Sequence, residues 1–244
     1  MVQRVLVLGG SGGIGSAVAR QIVTGGGKVF LAGRTSDRLA AVAAELGASW
    51  GEVEATDAAA VDACGNAANE ALGGLTGITN CVGSILLKPA HLTQPDDWQA
   101  TLAANLTTAF NAVRTAGRLL KAGGGSVVLL SSAAARIGLA NHEAVAAAKA
   151  GVIGLTLAAA ATYARSGIRF NAVAPGLVRT PLSAGLLASD LAEKASVAMH
   201  PLGRLGEPDD VARAVCWLLD PANSWVTGQV LGVDGGLGDL KARA

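Results

Sequence analysis

Arg4-Val5-Leu6-Val7-Leu8-Gly9-Gly10-Ser11-Gly12-Gly13-Ile14-Gly15-Ser16-Ala17-Val18-Ala19-Arg20-Gln21-Ile22-Val23-Thr24 lies near the start of this chain of 244 residues. Arg4–Leu8 is short and apolar enough for a buried strand, and Gly13–Thr24 has helical periodicity. Only glycines and one serine separate them. A strand that turns at once into a helix brings backbone N–H groups and the positive helix end to one point, an arrangement suited to a pyrophosphate. Tight turns also use glycine, so the strand–loop–helix setting gives the stretch its meaning.

The same alternation continues outward from this unit. Arg4–Leu8, Lys28–Ala32, Ser49–Glu54, Leu75–Asn80, Gly125–Ser131, Ile168–Val173 and Gln229–Val233 read as buried strands. Between them Gly13–Thr24, Asp37–Leu46, Asp57–Leu72, Pro95–Lys121, His142–Arg165 and Pro208–Leu219 read as helices. The expected fold is α/β: a three-layer, doubly wound parallel sheet of the Rossmann type, with about seven strands and helices on both faces. Gly25–Gly27 and Gly47 serve as helix stops, Asp57 and Asn141 as N-caps, and Pro208 as a first-turn residue. Residues 1–244 are read as one domain. The segment 181–206 breaks the alternation, and the expectation there is one or two short helices forming a lid over the substrate edge of the sheet.

Composition narrows the partners. Net charge is +1 and there are no like-charge blocks, which argues against nucleic acid. Hydrophobic residues make up 51%, but glycines interrupt the apolar runs, so no membrane span is expected. The first apolar run enters the glycine loop directly, unlike a signal peptide. Three widely spaced cysteines and three histidines suggest reduced thiols in a cytoplasmic protein and no metal site. Glycine numbers 33, about twice the ~7% norm, and much of the excess follows strand-like runs.

A second informative stretch runs from Ser131-Ser132 through Asn141-His142 to Val145 and Lys149, from the fifth strand into an alanine-rich helix. Val145 and Lys149 are four residues apart and share a helix face. Ser132, at the carboxyl end of its strand, has a hydroxyl that can donate to a carbonyl oxygen. A serine thirteen residues before a helical Y-x-x-x-K resembles the catalytic signature of the short-chain dehydrogenase/reductase family, with Val145 at the tyrosine position. Gly9-x-x-x-Gly13-Ile14-Gly15 matches the family's TGxxxGIG at each glycine, with Leu8 for the threonine.

The resemblance implies roles for further positions. The glycine loop, including Ser11 and Gly12, would hold a dinucleotide. Where relatives that use NAD carry an acid after the second strand, this chain has Gly33-Arg34-Thr35; Arg34 suits a 2′-phosphate, so NADP is expected in preference to NAD. Glu54-Ala55 takes the place of the Asp-Val that touches adenine. Asn80-Cys81-Val82-Gly83 resembles the N-N-A-G loop, with Asn80 and Gly83 kept. Asn105 matches the asparagine that holds a water beside the lysine, and Lys149 would bind the nicotinamide ribose. Pro175-Gly176 would border the carboxamide, and Thr180 would meet the cofactor phosphate. Thr227-Gly228 through Asp234-Gly235-Gly236 completes a likeness nearest to single-domain 3-oxoacyl-carrier-protein reductases.

That likeness implies hydride transfer between nicotinamide and a carbonyl or alcohol substrate, but Val145 has no proton to give. Tyr163, the only tyrosine, lies eighteen residues farther on, about 27 Å at ~1.5 Å per residue. His142, three residues before Val145, is the nearest candidate acid, although it reads first as an exposed first-turn residue beside the Asn141 cap. Lys149 acting through a water, or Ser132 as a relay, are the other routes. The alternative is a catalytically weak or inactive NADP-binding protein, a scaffold or redox sensor. Leu86, Leu87, Leu182, Leu186 and Leu187 would form an apolar substrate mouth. The apolar helices Pro95–Lys121 and His142–Arg165 imply a homodimer or homotetramer.

Overall fold

The computed structural model describes residues 2–240. Seven strands form one parallel sheet in the order β3-β2-β1-β4-β5-β6-β7. They are β1 Arg4–Leu8, β2 Lys28–Gly33, β3 Ser49–Glu52, β4 Gly77–Asn80, β5 Gly125–Leu130, β6 Ile168–Pro175 and β7 Val230–Val233. The helices are α1 Gly13–Thr24, α2 Ser36–Leu46, α3 Ala58–Ala71, α4 Pro95–Leu102, α5 Thr108–Leu119, α6 Glu143–Tyr163, α7 Asp190–Ala198 and α8 Pro208–Leu219.

Strand alternation sorts the core into two layers. Leu6, Leu8, Phe30, Ile78, Leu129 and Phe170 face α3, α5 and α6. Val5, Val7, Leu31, Val128 and Val173 face α1, α2 and α8. Chain order reverses direction across the sheet between β1 and β4, whose register pairs Leu8 with Asn80. The loops leaving these two strands diverge there and open a crevice, the place where such sheets accept ligands.

Several boundaries differ from the sequence expectation. The helix expected over Pro95–Lys121 is interrupted by a π-helical turn, Ala103–Thr107, which carries Asn105. Asn141 is not the N-cap of α6. It adopts φ 62, a left-handed conformation that asparagine tolerates, and His142 takes the cap position without a side-chain cap bond. Asp57 does cap α3, accepting from the N–H groups of Ala59 and Ala60. Between Pro181 and Gly206 lie a 3-10 turn, Ala184–Leu187, and α7.

The stretch Glu143–Ser166 is long and apolar enough to cross a membrane by length and composition, contrary to the expectation of no such run. Its place in the fold accounts for much of that character. Ala144, Ala148, Val152, Thr156 and Ala159 are buried, and 44% of its most apolar window lies inside the protein.

Glycine is required at the β1–α1 turn. A Cβ at Gly15 would lie 2.2 Å from the Gly9 carbonyl oxygen, and Gly9 itself has φ +77. Gly15→Ala is expected to lower stability by about 2 kcal/mol or more, because backbone must move to admit the methyl group. Urea denaturation measures this, and an unchanged midpoint would contradict the close approach.

Candidate active site

The carboxyl ends of the strands from β3 to β4 open onto a cleft of about 900 Å³. Its floor is the glycine loop, with Gly9, Ser11, Gly12, Gly13, Ile14 and Gly15 all exposed to it. Gly12 caps α1 with backbone only, and the first turn of α1 contains no acidic residue. The first N–H groups of that helix therefore have no intrahelical acceptor and meet the cleft with a partial positive charge. A Cβ at Gly13 would lie 2.8 Å from the Thr180 methyl, so the loop after β6 closes over the same helix end. This cradle fits a phosphate-bearing ligand.

At one end of the cleft Gly33, Arg34 and Thr35 follow β2, while Glu54, Ala55 and Thr56 follow β3. The Glu54 carboxylate accepts from the N–H and hydroxyl of Thr56, which holds it below the usual carboxylate range. Arg38, in the first turn of α2, lines the same end and was missed in the sequence. Arg34 lies before α2 and Arg38 within its first turn, so their meeting at the cleft depends on the fold of the β2–α2 loop. Among the described residues, neither Arg34 nor Arg38 has an ion-pair partner.

At the other end the loop after β4 brings Cys81, Val82, Gly83 and Ser84 to the cleft wall. Asn80 lies behind them as a loop clamp, donating to the Thr108 hydroxyl and accepting from Val82 N. Asn105 is 1% exposed. Its Oδ1 accepts from Ser84 N at 3.1 Å, and its Nδ2 donates to Ser84 Oγ and the Thr101 carbonyl, each at 3.0 Å. Ser84 thus holds the π turn against the β4 loop. A residue directly after Asn80–Gly83 was the only signal for it in sequence.

Gly83 brings two predicted residues together. A Cβ there would lie 2.9 Å from Asn105 Oδ1 and 3.4 Å from Lys149 Nζ. Lys149 is buried, and its Nζ donates to the Leu130 carbonyl at 2.8 Å. Burial pushes its pKa down to about 8, with a smaller opposing effect from Cys81. The Cys81 thiol is itself pushed up to about 11 by burial and is a neutral neighbour. Ser131, not Ser132, ties the strand to α6 by donating to the Lys149 carbonyl at 2.9 Å.

Ser132 starts the 3-10 turn after β5, where its Oγ accepts from Ala134 N. Val145 is 6% exposed, one turn before Lys149. His142 is turned to its own loop, with Nδ1 at 2.8 Å from the Ala140 carbonyl oxygen. Ser132, His142, Val145, Asn105, Lys149, Asn80, Pro175 and Gly176 do not line the 900 Å³ cleft, which is formed chiefly by the expected dinucleotide residues. Of the apolar mouth, Leu86 and Leu182 line it; Leu87, Leu186 and Leu187 do not.

A family model described as enoyl-(acyl carrier protein) reductase matches residues 9–238. The chain is 38% identical over 227 residues to inactive 2-(S)-hydroxypropyl-CoM dehydrogenase 2 of Xanthobacter autotrophicus, covering 90% of this chain and 99% of that protein. It is also 38% identical over 237 residues to cis-4-hydroxycyclohexanecarboxylate dehydrogenase of Sinomonas cyclohexanicum, covering 95% and 94%. A variant of actinorhodin polyketide ketoreductase with NADPH superposes with a TM-score of 0.92 at 29% identity, covering 98% of each chain. The chain belongs to the short-chain dehydrogenase/reductase family, whose members are NAD(P)-dependent oxidoreductases of small molecules.

Lys149 supplies a test of the site's electrostatics. Its folded pKa lies below the ordinary lysine value, so between pH ~8 and ~10.5 the unfolded chain holds the proton more tightly. Stability rises with pH across that window, and burying the ammonium costs on the order of 3 kcal/mol below it. Lys149→Met is therefore expected to leave the thermal midpoint at pH 7 unchanged or higher. A fall beyond about 3 °C, roughly 1 kcal/mol in a chain of this size, would mean that the lysine stabilises the fold.

Proposed function

We propose that this protein is an NADP-preferring oxidoreductase that interconverts a small carbonyl compound and its alcohol, with Lys149 in place of a tyrosine as the proton source. The observation that carries this reading is a buried lysine with its pKa near 8, set beside Asn105 and Gly83. An acid is most effective when its pKa lies near the working pH. His142 is a weaker candidate because its ring is turned to the Ala140 carbonyl of its own loop, whereas Lys149 and Asn105 meet at Gly83.

When bound, the nicotinamide would supply the hydride. For its binding, the glycine loop and Thr180 would hold phosphates, Glu54 and Ala55 would flank adenine, and Arg34 with Arg38 would pair with a 2′-phosphate. Asn80 and Gly83 shape the nicotinamide end, where Pro175 and Gly176 form the opposite border. Ser132 would donate to the substrate oxygen, and the 181–206 segment would be the lid of a single Rossmann domain. The NADPH in the solved ketoreductase supports the nucleotide choice.

A second reading is an NADP-binding protein with little turnover. It is favoured by the buried aliphatic side chain of Val145 and by the relative whose name calls it inactive. Homo-oligomerisation is supported by the exposed Phe110 on α5 and Leu157 on α6. The three free thiols suit a reducing cytoplasm.

NADPH is expected to bind more tightly than NADH, and Arg34→Ala should narrow the gap about tenfold or more, since hydrogen bonds to charged groups are lost. Equal titration curves for the two nucleotides would remove the basis for the preference.

Carbonyl reduction should weaken as pH rises through about 8, where the Lys149 ammonium loses its proton. Assays of the native chain, Val145→Tyr and His142→Ala over a substrate panel separate the readings. Native turnover that survives His142→Ala and falls above pH 8 supports the lysine route. No native turnover, with a gain of about 10² or more in Val145→Tyr, makes the nucleotide-binding reading correct.

A further inference from the structure

His200 is 2% exposed and lies outside every role assigned above. It lies just beyond the C-cap of α7, and its ring reaches back to the loop after β6. Nε2 accepts from Leu177 N at 3.1 Å, while Nδ1 donates to the Ser196 carbonyl at 2.7 Å. Both ring nitrogens are thus committed, one as acceptor and one as donor, which specifies the neutral Nδ1–H tautomer.

The surrounding packing leaves the ring little freedom. A Cβ at Gly176 would lie 2.7 Å from His200 Nε2 and 3.0 Å from Asp234 Cα. On its other side, a Cβ at Gly235 would lie 3.5 Å from His200 Cβ. The imidazole therefore joins three elements: the Pro175–Leu177 loop, the end of α7 and the turn at Asp234–Gly236. The lid segment is also tied to this loop by the bridge between Val178 and Gly206.

We infer that His200 is a positioning residue for the cofactor, fixing the Gly176–Leu177 backbone through the bond it accepts from Leu177 N–H. The inference rests on the proposal that this loop borders the nicotinamide. A side chain without an acceptor at this position would leave the Leu177 N–H unpaired and the loop unfixed, and the cofactor should then bind less well.

Other charges on the joined elements are already engaged or distant in role. Arg179 on the loop pairs with Glu193 on α7, and Asp239 pairs with Arg136. The Asp234 carboxylate accepts from Gly236 N and Gly238 N. Asp190 and Lys194 are the remaining charged groups on α7.

The test is NADPH titration, followed by nucleotide fluorescence, at pH 7.5 for the native chain, His200→Gln and His200→Leu. Glutamine can accept from Leu177 N–H with its amide oxygen. His200→Gln should keep the native affinity, and His200→Leu should bind about tenfold more weakly, because a buried N–H loses its acceptor. Native affinity in His200→Leu would overturn the inference, and so would a loss in His200→Gln as large as in His200→Leu. If His200→Leu fails to fold, His200→Gln still decides, native affinity supporting the inference and a tenfold loss overturning it. If the native chain binds no NADPH, the cofactor reading itself fails and this inference with it.

Discussion

The close crossing of α1 over β1 sets the geometry on which the rest of this protein depends. Gly15 lies where any side chain would meet the Gly9 carbonyl oxygen, and Gly9 lies where one would meet the backbone of Cys81 and Val82. Two contacts without side chains thus draw a helix end, a strand end and the β4 loop to one place. The first-turn N–H groups of α1 are left facing the cleft, where their partial charge favours an anion. Dispersion contacts on the two faces of the sheet hold this arrangement, since Ala17 and Val18 of α1 lie in the same core layer as Val5 and Val7.

The far end of the cleft depends on a different constraint, the burial of an ammonium group. Lys149 has one backbone acceptor and a neutral thiol nearby and, among the described residues, no carboxylate partner. Without a counter-charge, desolvation dominates and the proton is held loosely. Two neighbours act in the same direction: Val145 is apolar and buried one turn before Lys149, and Cys81 is a neutral thiol. A dry surrounding makes the lysine more acidic, and an acidic lysine is what proton delivery without tyrosine needs. The same surrounding also suits a nucleotide-binding protein with little turnover, so one physical feature underlies both readings.

Polar groups in this region are satisfied by one another. Asn105 is held on both sides by Ser84, and Ser131 joins β5 to α6. The π turn Ala103–Thr107 is the segment that carries Asn105 to these bonds. Asparagine is costly inside a helix unless its side chain is bonded, and here Oδ1 accepts one bond while Nδ2 donates two.

Much of the fold was legible in the sequence for a simple reason. Buried parallel strands are short apolar runs, amphipathic helices repeat at 3.6 residues, and glycine marks places where backbone must come close. These are local signals, so the seven strands, the glycine loop and the Asp57 cap could be read directly. The lysine at position 149 was also visible by its spacing from Ser132 and Val145. What needed tertiary structure were properties set by distant neighbours. The π turn at Asn105, the left-handed Asn141, the Arg38 side of the cleft and the lowered pKa of Lys149 each depend on contacts far apart in sequence. His200 is the clearest example: nothing beside it suggests a role, and only the fold brings its ring against Gly176 and Leu177. Local chemistry chose the elements, and the shape of their packing determined which side chains lost water and which met.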